Sequence, residues 1–220
     1  MIKRADIAAV IFDMDGLVLD TEKTYRIAWR EAGRAMRYDF PDVFLEALSG
    51  LSGGAVLRMI ESFCGSGFDV DTFNGLSAAC WHDHVAVHGI GVRSGFHRLL
   101  DYLNQEGIPF CLATNSTLVN AEECLGLAKL SGVFSTIIAR DHVRRGKPAP
   151  DIFLQAATSL EVSVNRCIVL EDSSTGIEAA FNAGGLPVMV PSRLPIDAVT
   201  LARCRLVLND LAELTERIGG

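Results

Sequence analysis

A chain of 220 residues is long enough for one substantial core with a small second domain beside it. Apolar residues at 49% and charged residues at 21% are the balance of a globular protein and exclude a disordered one. A net charge of -7 gives no electrostatic reason to bind nucleic acid or an anionic membrane, and no apolar run approaches the length of a bilayer span.

The first residues are read as running straight into a strand, with no signal-peptide core. Cysteines at 64, 80, 111, 124, 167 and 204 form no CxxC pair and show no metal-ligand spacing. They are expected to be buried free thiols of a cytoplasmic protein.

Ala8 to Phe12 is an unbroken apolar run, as in a strand covered on both faces. Asp13 and Asp15 follow it, then Gly16, which lets the backbone turn away. Like charges so close need a cation, a shared proton or a function, although a solvated acidic turn gives the same letters.

Four helical stretches are expected next. Positions 21–36 place Tyr25, Ala28, Trp29 and Ala32 on one face. A second helix is suggested by Leu45, Leu48 and Leu51 and is broken by the small residues 49–54. A third carries Val56, Leu57 and Ile60, and a fourth spans about 71–88. From residue 91 the rhythm changes. Strand-like runs at 108–113, 136–139, 167–170, 187–190 and 206–208 alternate with helices that include about 117–128, 150–160 and 174–183. The reading is an α/β fold, a Rossmann-like three-layer parallel sheet made by residues 1–16 and 89–220. A helical cap domain, residues 17–88, is inserted between its first strand and the rest.

Ligands of such sheets collect beyond the carboxyl ends of the strands. Asp13 and Asp15 end the first strand. Thr114, Asn115 and Ser116 end another, Glu171 and Asp172 a third, and Lys147 lies in the loop Gly146-Lys147-Pro148-Ala149-Pro150. Taken singly, these are helix caps and a surface lysine. Taken together, they make a phosphate and magnesium site. A helix start offers amides to an anion, lysine offers a point charge, and carboxylate oxygens suit magnesium.

With Asp13-Met14-Asp15-Gly16, Thr114, Lys147 within Gly-Lys-Pro-Ala-Pro-Asp, and Glu171-Asp172 in this order, the chain resembles the haloacid dehalogenase superfamily, in the group with an inserted helical cap. The likeness spans essentially the whole chain. It is greatest to small-metabolite phosphatases such as pseudouridine-5'-phosphatase, and the chain is also similar to beta-phosphoglucomutase. The resemblance implies a magnesium-dependent phosphatase acting on a sugar phosphate or nucleoside monophosphate through an aspartyl-phosphate. It makes Asp13 the nucleophile and Asp15 the general acid and base. Thr114, Asn115 and Lys147 would bind phosphate. Asp13, Asp15 through its backbone carbonyl, Asp172 and Glu171 would hold Mg2+. Thr21, Glu22, Tyr25 and Gly53 become candidates for substrate choice in the cap, although Tyr25 and Trp29 also have the spacing of plain core residues. The expected partner is a small phosphorylated metabolite, with neither nucleic acid nor membrane. The expected state is a monomer, with a dimer as the alternative.

A phosphohexomutase is the runner-up, and two departures weigh against it. Tyr25 stands where those mutases carry a histidine, and Gly53 where they carry an arginine. A non-enzymatic aspartate-phosphorylated switch like a receiver domain would reverse the order of acidic pair and acceptor, and leaves the insertion unexplained. A haloacid dehalogenase proper would lack Asp15. A phosphonate hydrolase would want a reactive cap lysine, and the insertion offers only Lys23. His82, His84 and His88 read as helix-surface histidines rather than metal ligands, since no converging third ligand is visible.

Overall fold

The computed structural model describes residues 3–49, 51, 53–192 and 194–218. The chain divides into two compact units, Met1–Leu19 with Val92–Gly220, and Asp20–Gly91. The division falls beyond Leu19 because Leu19 bridges both Asp15 and Val92.

A short 3-10 turn, Arg4–Asp6, precedes the first strand, where the sequence reading has the chain enter the strand directly. Strand β1 (Ala9–Phe12) is buried throughout. Its lack of alternation follows, because both faces of the sheet are covered. Ala9 and Ile11 join Cys111, Val169, Ile152 and Phe153 in one core cluster. Phe12 packs edge-on against Phe96, Phe110 and Phe134, with centroids 5.9, 6.2 and 5.7 Å away. Fully burying one such side chain is worth about 1.5–3 kcal/mol.

The helical unit holds α1 (Thr21–Ala35), α2 (Asp42–Leu48), α3 (Gly53–Cys64) and α4 (Val70–His88). Its core is Ala32, Phe40, Leu45, Leu48, Val56, Ile60, Phe68 and Phe73. Trp81 of α4 donates its indole N–H to Thr24 Oγ1 of α1 at 2.9 Å, so that a buried polar atom is satisfied where the two helices meet. Of the small-residue stretch 49–54, Gly50 and Ser52 lie outside the described residues.

The sheet unit continues with α5 (Phe96–Gln105), β2 (Phe110–Ala113), α6 (Leu118–Leu127) and β3 (Ile137–Ile138). Then follow α7 (Asp151–Ser159), β4 (Cys167–Glu171), α8 (Ser174–Asn182) and β5 (Leu186–Met189). The described chain ends with α9 (Ala198–Arg203), β6 (Leu206–Val207) and α10 (Glu213–Ile218). The six strands are parallel, in the order β3-β2-β1-β4-β5-β6. The order reverses between β1 and β4, so their carboxyl ends flank the crevice where such sheets bind ligands. This is the α/β architecture expected from the sequence. No described helix is long and apolar enough to cross a membrane.

Candidate active site

Asp13 leaves β1 with its backbone N–H donating to Leu170 O of β4 at 3.0 Å, so the two strand ends stay in register one residue beyond β1. The chain then turns. Val18 N and Leu19 N both donate to Met14 O at 3.0 Å, and Gly16 N donates to Leu19 O at 2.8 Å. Gly16 takes the left-handed conformation, φ 81°, that glycine adopts without strain.

Lys147 reaches this point from the loop between β3 and α7. Its ammonium donates to Asp13 Oδ1, to Glu171 Oε1 at 2.6 Å and to Ala113 O at 2.9 Å, and it stands 4.9 Å from the centroid of the Phe153 ring. Glu171, the last residue of β4, is fully buried. Its other oxygen accepts from Asp172 N at 3.2 Å, Ser173 N at 3.4 Å and Ser173 Oγ at 3.0 Å. The start of α8 therefore holds one carboxylate oxygen and Lys147 the other.

Thr114 follows β2, and its hydroxyl accepts from Ser116 N at 3.0 Å. Asp15 Oδ2 accepts from Ser116 Oγ at 2.9 Å and from Thr114 Oγ1 at 3.4 Å. The Asn115 side chain is engaged with the Lys147 backbone: Lys147 N donates to Asn115 Oδ1 at 2.9 Å, and Asn115 Nδ2 donates to Lys147 O at 3.3 Å. Sequence reasoning groups Asn115 with the phosphate binders. It does not anticipate this clamp, nor the bonds of Ser116 to Asp15 and of Ser173 to Glu171. Only the run of hydroxyl and amide residues after each strand hints at them.

Carboxylate oxygens of Asp13, Glu171 and Asp172 lie within 4.8 Å of one another, and all three residues are buried. Burial pushes the Asp13 carboxyl up to about 8, against the pull of Lys147 and with the charges of Glu171 and Asp15 adding to the rise. Burial alone would lower Lys147, but Asp13 and Glu171 attract and hydrogen-bond its ammonium and hold it above the ordinary lysine value. Asp13 and Glu171 share one ammonium and Asp172 lies close to both, so the cluster is short of positive charge. The oxygen donor set fits a hard divalent cation.

The remaining candidates lie in the helical unit. Thr21, Glu22 and Tyr25 occupy the first turns of α1, and Gly53 opens α3. Tyr25 is stacked on Trp29 and Trp81, with centroids 6.0 and 5.7 Å away. His84 and His88 of α4 lie with ring centroids 4.7 Å apart and planes tilted by 38°. Among the described residues, the acidic triad is the only grouping of three or more His, Cys, Asp or Glu that could hold a metal.

The sequence matches the haloacid dehalogenase-like hydrolase family over residues 7–184. The chain belongs to that family. Among its relatives, fructose-1-phosphate phosphatase YqaB of Escherichia coli (strain K12) is 33% identical over 80% of this chain and 93% of its own length. A probable pseudouridine-5'-phosphatase of Drosophila melanogaster is 33% identical over 82% of this chain and 80% of its own. The crystal structure of a putative beta-phosphoglucomutase from Thermotoga maritima superposes with a TM-score of 0.81 at 25% identity, covering 96% of this chain and 98% of that one.

Proposed function

We propose that the chain is a Mg2+-dependent phosphatase that hydrolyses a small phosphorylated metabolite, a sugar phosphate or nucleoside monophosphate, through an aspartyl-phosphate on Asp13. Its family and the phosphatases among its relatives make it a phosphoric monoester hydrolase. The observation that carries the finer reading is the buried meeting of Asp13, Glu171 and Asp172 at the carboxyl ends of β1 and β4, with Lys147 paired to the first two.

Phosphate monoesters hydrolyse very slowly unaided, so the site must stabilise the transition state strongly. Asp13 attacks phosphorus as its carboxylate, the form that Lys147 favours against the burial. Asp15 protonates the leaving oxygen and then takes a proton from the water that opens the acyl phosphate. Thr114, Lys147 and the backbone near Asn115 hold the phosphoryl oxygens. Mg2+ on Asp13, Asp172, the Asp15 carbonyl and Glu171 would offset the repulsion between Asp13 and the dianionic phosphate. Substrate choice is assigned to Thr21, Glu22, Tyr25 and Gly53 of the helical unit, on the family resemblance alone. A cytoplasmic location is supported by six free cysteines.

A phosphohexomutase is the second reading, favoured by the likeness to the Thermotoga maritima structure. Tyr25 and Gly53, at the places of the mutase histidine and arginine, support hydrolysis instead.

A panel of phosphorylated sugars, nucleoside monophosphates and glycolytic acids, ranked by kcat/KM with and without excess EDTA, tests the proposal. Release of inorganic phosphate that EDTA abolishes and Mg2+ restores is expected. No release from any member, or full activity in EDTA, would overturn it. Isomerisation of a hexose phosphate without phosphate release would favour the mutase.

A further inference from the structure

Asp15 Oδ2 is the meeting point of two hydroxyls, and the nearer one belongs to a residue with no part in the mechanism above. Ser116 Oγ donates to it at 2.9 Å, Thr114 Oγ1 at 3.4 Å. Ser116 is itself held at both ends of its backbone, its N–H donating to Thr114 Oγ1 at 3.0 Å and its carbonyl accepting from Arg140 N at 2.9 Å. The Ser116 hydroxyl is thus carried on a fixed backbone rather than on a free loop tip.

A hydroxyl carried on a fixed backbone and donating to Oδ2 restrains the rotation of the Asp15 carboxyl group. We propose that Ser116 is a positioning residue for Asp15, fixing the orientation in which its carboxyl group delivers the proton to the leaving group. The inference rests on the phosphatase reading above, in which Asp15 is the general acid.

An Asp13 oxygen forms its bond to phosphorus while the bond from phosphorus to the ester oxygen breaks, and that bond's electron pair stays on the ester oxygen. This oxygen takes the proton from the Asp15 carboxyl group, so the alcohol leaves neutral and Asp15 is left as carboxylate. Water then bonds to phosphorus, gives its proton to Asp15, and releases Asp13. A misplaced Asp15 slows the first step most when the leaving group is a strongly basic alkoxide. It matters little when the leaving group is weakly basic p-nitrophenolate.

The test compares kcat/KM on the best alkyl phosphate of the panel above with kcat/KM on p-nitrophenyl phosphate, for the parent and for Ser116→Ala, Ser116→Thr and Asp15→Asn. Ser116→Ala is expected to lose roughly ten- to a hundredfold more on the alkyl ester than on the aryl ester. Ser116→Thr, which keeps the hydroxyl, is expected to recover most of the difference. Equal losses on both esters, or no loss on either, would overturn the inference. A selective alkyl loss in Asp15→Asn but not in Ser116→Ala would sink the role of Ser116 and leave the acid in place. No selective loss in Asp15→Asn would remove the acid itself, and a parent inactive on every ester would remove the phosphatase reading.

Discussion

The ammonium of Lys147 stands 2.6 Å from Glu171 Oε1, and the two side chains are 4% and 0% exposed. The same ammonium pairs with Asp13, so one cation bridges two buried carboxylates. Removing one member of a buried ion pair costs about 3–5 kcal/mol, because the charge left behind has lost its partner. Lys147→Ala is therefore expected to be destabilised by about 3 kcal/mol in urea denaturation. Its activity on p-nitrophenyl phosphate is expected to fall by at least roughly a hundredfold. A variant as stable as the parent would show that Lys147 does not hold the cluster together.

Gly16 is constrained twice. Its φ is 81°, and a Cβ built on it would lie 2.1 Å from Asp172 Oδ2. Gly16→Ala strains the turn and pushes Asp172 out of the triad together. The expected cost is about 1–3 kcal/mol of stability, with a loss of phosphatase activity that added Mg2+ does not restore. Thermal unfolding and activity measured across a magnesium titration check both parts. Activity like that of the parent would mean that the turn and Asp172 adapt freely.

The sheet was legible because its strands are unbroken apolar runs separated by helical periodicity, and Cys167 to Leu170 is the plain example. The meeting of Asp13, Lys147, Glu171 and Asp172 was legible for a related reason: polar residues after buried strands of a parallel sheet gather at one edge. The helices α9 and α10 were missed, since six residues are too few for a helical period to stand out. The Asn115 clamp on Lys147 and the Ser116 bond to Asp15 were hidden for another reason. Each joins residues at least 30 apart through side-chain geometry, while the letters alone read as a helix cap.

Burial pushes the thiols of Cys111 and Cys124 up to about 12 and that of Cys167 up to about 11. Alkylation needs the thiolate, and a thiol at about 12 is ionised to roughly one part in ten thousand at pH 8. Iodoacetamide at pH 8 is expected to leave these three unmodified in the native protein and to modify them in guanidinium. Peptide mass mapping reads the outcome directly. Rapid native labelling at Cys111 would mean that the core under β2 opens readily.

The measurement that bears most directly on the central claim is the turnover of Asp13→Asn on p-nitrophenyl phosphate, with circular dichroism to verify the fold. An amide at position 13 has no ionised oxygen to bond to phosphorus, so kcat is expected to fall by at least roughly a thousandfold while the fold is kept. An undiminished rate in a folded Asp13→Asn protein would contradict the assignment of Asp13 as nucleophile.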